Sequence, residues 1–297
     1  MDFFGILVGI LSEGLIYSIV SFGVYITYKI LDFPDMTVDG SFPLGMSITA
    51  ALTLMGVSPV YTLLISFFFG IIAGILTGII HVKLKVGDLL SGIIMMIALY
   101  SINLRIAGRP NLPFFNKDTL FRNDLFFSIF GQNNRPITTI VVLLVIVIIV
   151  KILLDLFLST KRGYLLRTVG DNETLITQLA IDKGNIKIMG LAIANGIVAF
   201  AGSIYAHDRS FFEISAGTGT LVIAVSNVII GMQIMNKFHN IKPTTAVIIG
   251  SLLYRAVISI AISIGLEARD LKLITAILLL IILILNKFKS TSKVVKR

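Results

Sequence analysis

The chain contains no cysteine, and only 14% of its 297 residues are charged. Without cysteine, disulfide bonds and thiolate metal sites are excluded. The three histidines, His81, His207 and His239, are far apart in sequence and lack the spacing of metal ligands. A soluble domain carries about 25% charged residues, so the low charge points away from a soluble protein.

Motifs for nucleotide binding and hydrolysis are also missing from the sequence. The dipeptide Gly-Lys never occurs, so there is no phosphate-binding loop of the Gly-x-x-x-x-Gly-Lys-Ser/Thr type. Neither a His-Glu-x-x-His site nor a Gly-x-Ser-x-Gly elbow is present. We therefore expect a non-catalytic chain that binds no cofactor itself. An energy source would be an ion gradient or a separate subunit.

Long apolar runs dominate what is present. Hydrophobic residues make up 56% of the chain, and the mean hydropathy is +0.96. The runs approach the ~20 residues that a spanning helix needs, whereas the strands of a membrane barrel alternate over about ten. They predict an all-α polytopic membrane protein, and no signal cleavage site follows the first run. The proposed segments cover 4–29, 39–56, 59–80, 87–104, 137–158, 187–206, 218–235, 243–264 and 271–286.

Lysine and arginine in the short loops set the expected orientation. If segment 159–187 and the basic tail 287–297 are cytoplasmic, fourteen of these cations lie inside and eight outside. The N-terminus and the loop 105–136 would then be extracellular. The net charge of +9 is explained by this topology and not by a nucleic acid partner. We expect residues 1–297 to form a single transmembrane domain in the plasma membrane.

The stretch 31–45 combines three carboxylates, two prolines and two glycines between two apolar runs. Proline disfavours helix at the residue before it, so Phe33 and Phe42 are expected to mark breaks. The following run, 44–55, is too short to span a membrane alone. The stretch is either an ordinary aqueous loop or a broken helix that enters the membrane, which is tolerated only inside protein or along a cavity.

A second stretch, 207–220, also leads from polar and small residues into an apolar segment, 221–234. The two breaks are compatible with an internal duplication. Asn227, within the second apolar segment, would either hydrogen-bond across a helix interface or contact a substrate.

Several residues inside the apolar runs are expected to serve packing. Arg255 needs a partner because a lone guanidinium in hydrocarbon is costly, and Glu13 is one possible partner. Lys151 and Asp155 are one helical turn apart and are expected to pair locally. A small-xxx-small face for close helix contact is formed by Gly70, Gly74 and Gly78.

Several segments of the chain resemble known transporters. The sequence Arg-Thr-Val-Gly-Asp-Asn at 167–172, followed by 178–182 and 189–196, resembles the cytoplasmic loop and next helix of ATP-binding-cassette permeases of the branched-chain amino acid and ribose type. Within that group, 33–42 and 270–276 are similar to permeases assigned to the import of tryptophan or tyrosine. The resemblance spans most of the chain.

This resemblance implies an importer with two permease subunits, expected to be a homodimer in membrane lipid. Two cytoplasmic ATPases would use the ATP, and an extracellular lipoprotein would bind the substrate. The resemblance also implies a short coupling helix at about 171–181 that sits in a groove of the ATPase, capped by Asn172 or Glu173. Its expected contact residues are Asp171, Asn172, Glu173, Thr174, Leu175, Gln178, Leu179 and Ile181.

The leading interpretation is alternating access, driven by the partner ATPase, for a small polar solute such as an aromatic amino acid. Its ring would stack on Phe33 or Phe42, and a carboxylate would take its ammonium group. The expected pathway residues are Phe33, Asp35, Thr37, Asp39, Ser41, Phe42 and Asn227. The alternative is an ion-coupled secondary transporter with Asp32, Asp35 or Asp39 as its ion or proton site.

Overall fold

The computed structural model describes residues 3–122, 135–171, 182–237 and 241–263, with positions 273, 275–277, 279, 280 and 284. Short strands and helical turns interrupt a series of helices. The elements are α1 (Phe3–Val24, extended by a π-helical turn, Tyr25–Ile30), α2 (Val38–Leu54), α3 (Pro59–Val82), α4 (Asp88–Ala107), β1 (Asn111–Pro113), α5 (Arg135–Leu158), α6 (Lys161–Asp171), α7 (Lys183–Arg209), β2 (Phe211–Glu213), a 3-10 turn (Ile214–Gly217), α8 (Thr220–Lys237) and α9 (Pro243–Ser263).

Among the described residues, seven helices are long and apolar enough to cross a membrane. This confirms the predicted all-α polytopic fold. The segment predicted at 39–56 is the 17-residue helix α2, which rises about 25 Å and falls short of a ~30 Å hydrocarbon core. The segment predicted at 271–286 lies mostly outside the described residues.

Helix α7 is the centre of the bundle, since 72% of its most apolar stretch is buried inside the chain. Helix α3 packs directly on its backbone through the predicted glycine face. A Cβ at Gly70 or Gly74 would overlap the carbonyl oxygen of Asn195 or Leu191, respectively. The glycines therefore allow the two helices to approach more closely than larger residues would, as in other membrane helix pairs.

The bundle has two distinct ends, which we call the α6 end and the strand end. At the α6 end, Leu166 of α6 lies against Gly190 near the start of α7, and Gly170 lies against the carbonyl of Ile30. At the strand end, β1 pairs antiparallel with β2, just after α7 stops. Segment 159–171 and the described part of the loop 105–136 therefore lie at opposite ends of the bundle. Their assignment to the cytoplasm and to the outside stays a prediction.

Of the two breaks predicted before proline, one is confirmed and one is wrong. The first helix ends at Ile30, so the chain is not helical at Phe33. Helix α2, however, continues through Pro43. Pro43 lies near the start of this helix, and its missing N–H deprives only the carbonyl of Asp39, so the cost is limited. The backbone of Gly217 packs against that carbonyl and the proline ring.

Candidate functional site

Segment 31–37 re-enters the bundle after the first helix ends. Leu31 lies against Gly190 of α7, whereas Asp35 already reaches Asn195, about 7 Å farther along that helix. Helix α2 continues in the same direction, since Thr49 bonds to Ser203. Segment 31–54 is therefore a crossing made of irregular, non-helical chain followed by a short helix, which confirms the predicted broken helix.

A hydrogen-bonded polar cluster holds this crossing to its neighbours. The Asn195 amide donates to Asp35 Oδ2 at 2.7 Å, and the Ser41 hydroxyl donates to Asn195 Oδ1 at 2.8 Å. The backbone N–H of Thr37 donates to Asp35 Oδ1 at 2.9 Å, and its hydroxyl lies 2.8 Å from that of Thr77. All five side chains are fully buried. Such a satisfied network fixes a unique packing and is costly to break.

Asp39 links the two stretches that were predicted as breaks. Its carboxylate accepts the backbone N–H of Gly219 at 3.0 Å and that of Leu221 at 2.7 Å. Gly219 immediately precedes α8 and Leu221 lies in its first turn, so Asp39 caps this helix from a distant part of the chain. The two interruptions are thus in direct contact, although no observation on the described residues tests an internal duplication.

The N-termini of α2 and α8 are both occupied by carboxylates of the chain itself. Asp35 bonds to the amide of Thr37 at the start of α2, and Asp39 bonds to the first amides of α8. A free helix N-terminus in a broken membrane helix is a ready site for an anionic group. Here the internal carboxylates fill both positions, so neither is open to the carboxylate of a substrate.

The structure places the predicted pathway residues inside the chain. Asp35, Thr37, Ser41 and Phe42 have no exposed surface. Phe33 is buried, and its ring meets that of His81 edge-on with 5.1 Å between the ring centroids. Of the predicted pathway residues between 33 and 42, only Asp39 is half-buried. Their role in a pathway stays a prediction.

Asn227 lies at an interface between helices. Its amide donates to Ser21 Oγ at 2.9 Å and to Ser251 Oγ at 3.2 Å. The three side chains are buried and come from α8, α1 and α9. This geometry supports the packing interpretation of Asn227, because its donor is already engaged on both sides.

Two groups of charged side chains in the membrane helices form ion pairs. Glu13 accepts from both Arg255, the predicted partner, and Arg209, the last residue of α7. Lys151 Nζ lies 2.9 Å from Asp155 Oδ2, which confirms the local pair. Glu13 contacts both guanidinium groups near the strand end, and Asp208, 3.6 Å from Arg209 Nε, supplies the second negative charge that a low-dielectric environment requires.

Helix α6 forms the first part of the predicted coupling loop. Gly163, Leu166 and Val169 are buried at intervals of three residues, so one face packs on the bundle. The opposite face carries exposed Arg167 and ends at exposed Asp171. The other predicted coupling residues, 172–181, lie outside the described residues. Beside α6, a cavity of about 230 Å³ is lined by Tyr25, Asp155, Leu158, Ser159, Tyr164, Arg167, Lys242, Pro243 and Thr244.

Two residues of these clusters were missed by the sequence analysis. Asn195 hydrogen-bonds to both Asp35 and Ser41. The sequence signal for this role is an amide side chain within a long apolar run, because such a side chain usually hydrogen-bonds across a helix interface. Arg209, one of the eight cations predicted to lie outside, ends α7 at the strand end and pairs with Glu13. The pairing of Arg209 with Glu13 is visible only in the structure, because the two residues are far apart in sequence.

Comparisons with known proteins identify relatives along nearly the whole chain. Residues 6–285 match the family described as "branched-chain amino acid transport system / permease component". A "tyrosine transport system permease protein" of Clostridioides difficile (strain R20291) is 47% identical over 274 residues, which cover 92% of this chain and 89% of the relative. An uncharacterized protein of Rickettsia prowazekii (strain Madrid E), RP368, is 33% identical over 280 residues, which cover 93% of this chain and 96% of that protein. No solved structure matches the chain.

Proposed function

The chain belongs to the family of permease components of branched-chain amino acid transport systems, and from this premise we propose that it is the membrane subunit of an ATP-driven amino acid importer. The observation that carries the proposal is the family match, which extends over residues 6–285. The 47% identity to a tyrosine permease favours an aromatic amino acid as substrate. In this assembly two copies of the chain form the path, two cytoplasmic ATPases use the ATP, and an extracellular lipoprotein delivers the substrate.

Energy enters this assembly at the α6 end. The packed face of α6 joins the loop to the bundle through Leu166 and Gly170, which lie against α7 and the end of the first helix. Movement of the segment 171–181 by an ATPase would therefore act on the first helix and on α7 through these two contacts. Asp171 is exposed at the junction, which is compatible with a docking surface that begins there.

Alternating access needs helices that move relative to one another, and the broken crossings are the candidates. Segment 31–54 and α8 are joined at Asp39, whose bonds to Gly219 and Leu221 couple the two interruptions. A shift of α7 would be transmitted to α2 through Asn195 and Ser41. Paired copies of this arrangement would open the path alternately to either side of the membrane.

An ion-coupled transporter is the competing function, and the contacts of its candidate carboxylates weigh against it. Asp35 and Asp39 each accept hydrogen bonds from groups that hold the fold, namely Asn195 and the first amides of α8. A carboxylate that releases and binds an ion in each cycle would have to give up these bonds. Asp32, the third candidate carboxylate, is exposed just after the end of the first helix.

Reconstitution tests the proposal directly. The permease, the ATPase and the binding protein of the same transport system are placed in proteoliposomes, and uptake of radiolabelled tyrosine, phenylalanine, tryptophan and leucine is measured. We expect uptake only with ATP on the ATPase side and with all three components present. Uptake driven by a sodium or proton gradient without any ATPase would overturn the proposal in favour of secondary transport.

A further inference from the structure

Three aromatic rings meet in the half of the bundle near the strand end. Tyr17 of α1 stacks on Phe42 of α2 with 6.0 Å between ring centroids. Tyr205 of α7 meets Phe42 at 5.5 Å and Tyr17 edge-on at 6.3 Å. These separations are typical of favourable aromatic pairs. Rings from three separate helices therefore converge on one place, where the sequence shows only isolated aromatic residues.

Charged groups lie one helical turn from two of these rings. Glu13 precedes Tyr17 by four residues on α1, and Arg209 follows Tyr205 by four residues on α7, so each pair shares a helix face. The Arg209 guanidinium carbon is 5.6 Å from the centroid of the Tyr205 ring. Arg209 also pairs with Glu13, which in turn pairs with Arg255 of α9.

The cluster is only partly buried within the single chain. The side chain of Arg209 stays 37% exposed despite its partners, and those of Arg255 and Glu13 are 22% and 13% exposed. Tyr17 and Tyr205 are half-buried, and Phe42 forms a buried base beneath them. This differs from the Asp35 cluster, whose polar groups are sealed inside the chain.

We propose that Glu13, Tyr17, Tyr205 and Arg209 form a binding site for a zwitterionic aromatic amino acid on its way through the membrane. The proposal rests on the proposed import function and assigns its substrate contacts to these residues instead of segment 33–42. The substrate ring lies against Tyr17 and Tyr205. Its carboxylate accepts from the fork of Arg209, and its ammonium group faces Glu13.

The charge balance of the cluster suits a zwitterion. Glu13 serves two guanidinium groups, so a substrate carboxylate can take over Arg209 while Glu13 keeps Arg255. No charge is then left unpaired in a low-dielectric site, which would otherwise be costly. Asp208, whose carboxylate lies 3.6 Å from Arg209 Nε, adds a second negative group near the ammonium. A solute without an ammonium and a carboxylate group would keep only the ring contacts.

Binding to the purified complex tests the site. The permease–ATPase complex in lipid nanodiscs, without binding protein, is titrated with radiolabelled L-tyrosine and L-leucine. Tyr205→Leu is expected to raise the Kd for tyrosine about tenfold and to change that for leucine less than twofold, because only tyrosine loses ring contacts. Tyr205→Phe keeps the ring and should bind like the unaltered protein. Tyr100→Leu, an exposed tyrosine on α4, is the matched control.

A second measurement needs no variant and therefore does not depend on folding of the altered chain. The unaltered complex should bind L-phenylalanine at least threefold more tightly than L-cyclohexylalanine, which has a similar shape but no aromatic ring. Equal affinities, or no detectable tyrosine binding, would overturn the site even if ATP-driven uptake is intact. Conversely, ring-dependent binding in a complex that transports only with an ion gradient would preserve the site and refute the proposed function.

Discussion

The carboxylate of Asp39 accepts the backbone N–H of Leu221 at 2.7 Å, although the two residues are 182 positions apart in sequence. A side chain of one broken crossing thus caps the helix of the other. This bond joins the only two stretches in which the sequence analysis expected polar breaks, at 31–45 and 207–220. Helix α8 has its N-terminal amides satisfied by tertiary structure and not by a local cap.

Removing this cap should destabilise the start of α8. Asp39→Asn leaves one amide oxygen to accept, and we expect a loss of about 1 kcal/mol in stability. The control is Asp32→Asn, which changes an exposed carboxylate at a position with positive φ that asparagine tolerates. Thermal unfolding of the two detergent-solubilised variants is the measurement. Equal melting temperatures for both variants would contradict the capping role.

Disruption of the Asp35 cluster should cost more. Asn195→Leu removes the donor to Asp35 Oδ2 and the acceptor of the Ser41 hydroxyl, so both buried groups lose a hydrogen bond. We expect the free energy of unfolding to fall by about 3 kcal/mol. Combining it with Asp35→Leu also removes the carboxylate that has lost its donor. The double variant should therefore lose less unfolding free energy than the sum of the two single losses. Denaturant unfolding of the three variants measures this coupling. Additive losses would show that the two residues act independently.

The close approach of α3 to α7 should not tolerate a methyl group. At Gly74 a Cβ would overlap the carbonyl oxygen of Leu191, so Gly74→Ala is expected to cost about 1–3 kcal/mol. Gly9→Ala is the matched control, because nothing lies within 4 Å of a Cβ there. Alanine should even favour helix at position 9 by roughly 0.5–1 kcal/mol. Opposite shifts of the two melting temperatures are the expected result.

The coupling segment should separate folding from transport. Changing Leu175 and Leu179 to aspartate is expected to abolish ATP-driven uptake while the permease stays in the membrane, because an apolar docking face would become charged. Lys117→Ala, an exposed change at the strand end, is the control and should leave uptake unchanged. Proteoliposome uptake and co-purification with the ATPase are measured together. Full uptake in the doubly altered protein would refute docking at 171–181.

Sequence reasoning was successful where the signal is local. Apolar length predicted the membrane helices, and the four-residue spacing predicted the Lys151–Asp155 pair. The glycine face of α3 was also readable, because Gly70 and Gly74 repeat at helical spacing. The break after the first helix followed from Pro34, since proline acts on its immediate neighbour. The same rule failed at Pro43, because this proline lies in the first turns of α2 and its missing N–H removes only one helical hydrogen bond.

The sequence by itself determined that this chain is a membrane protein and where most of its membrane helices lie, because hydropathy and helical period depend on neighbouring residues. Similarity along the whole sequence determined its family. Only the tertiary structure decided which polar groups are sealed and which stay open. Asp35 and Asn195 find each other across 160 positions, and Tyr17 and Tyr205 meet from separate helices. Such contacts depend on how the helices pack around α7, and no local sequence pattern encodes which residues of different helices meet.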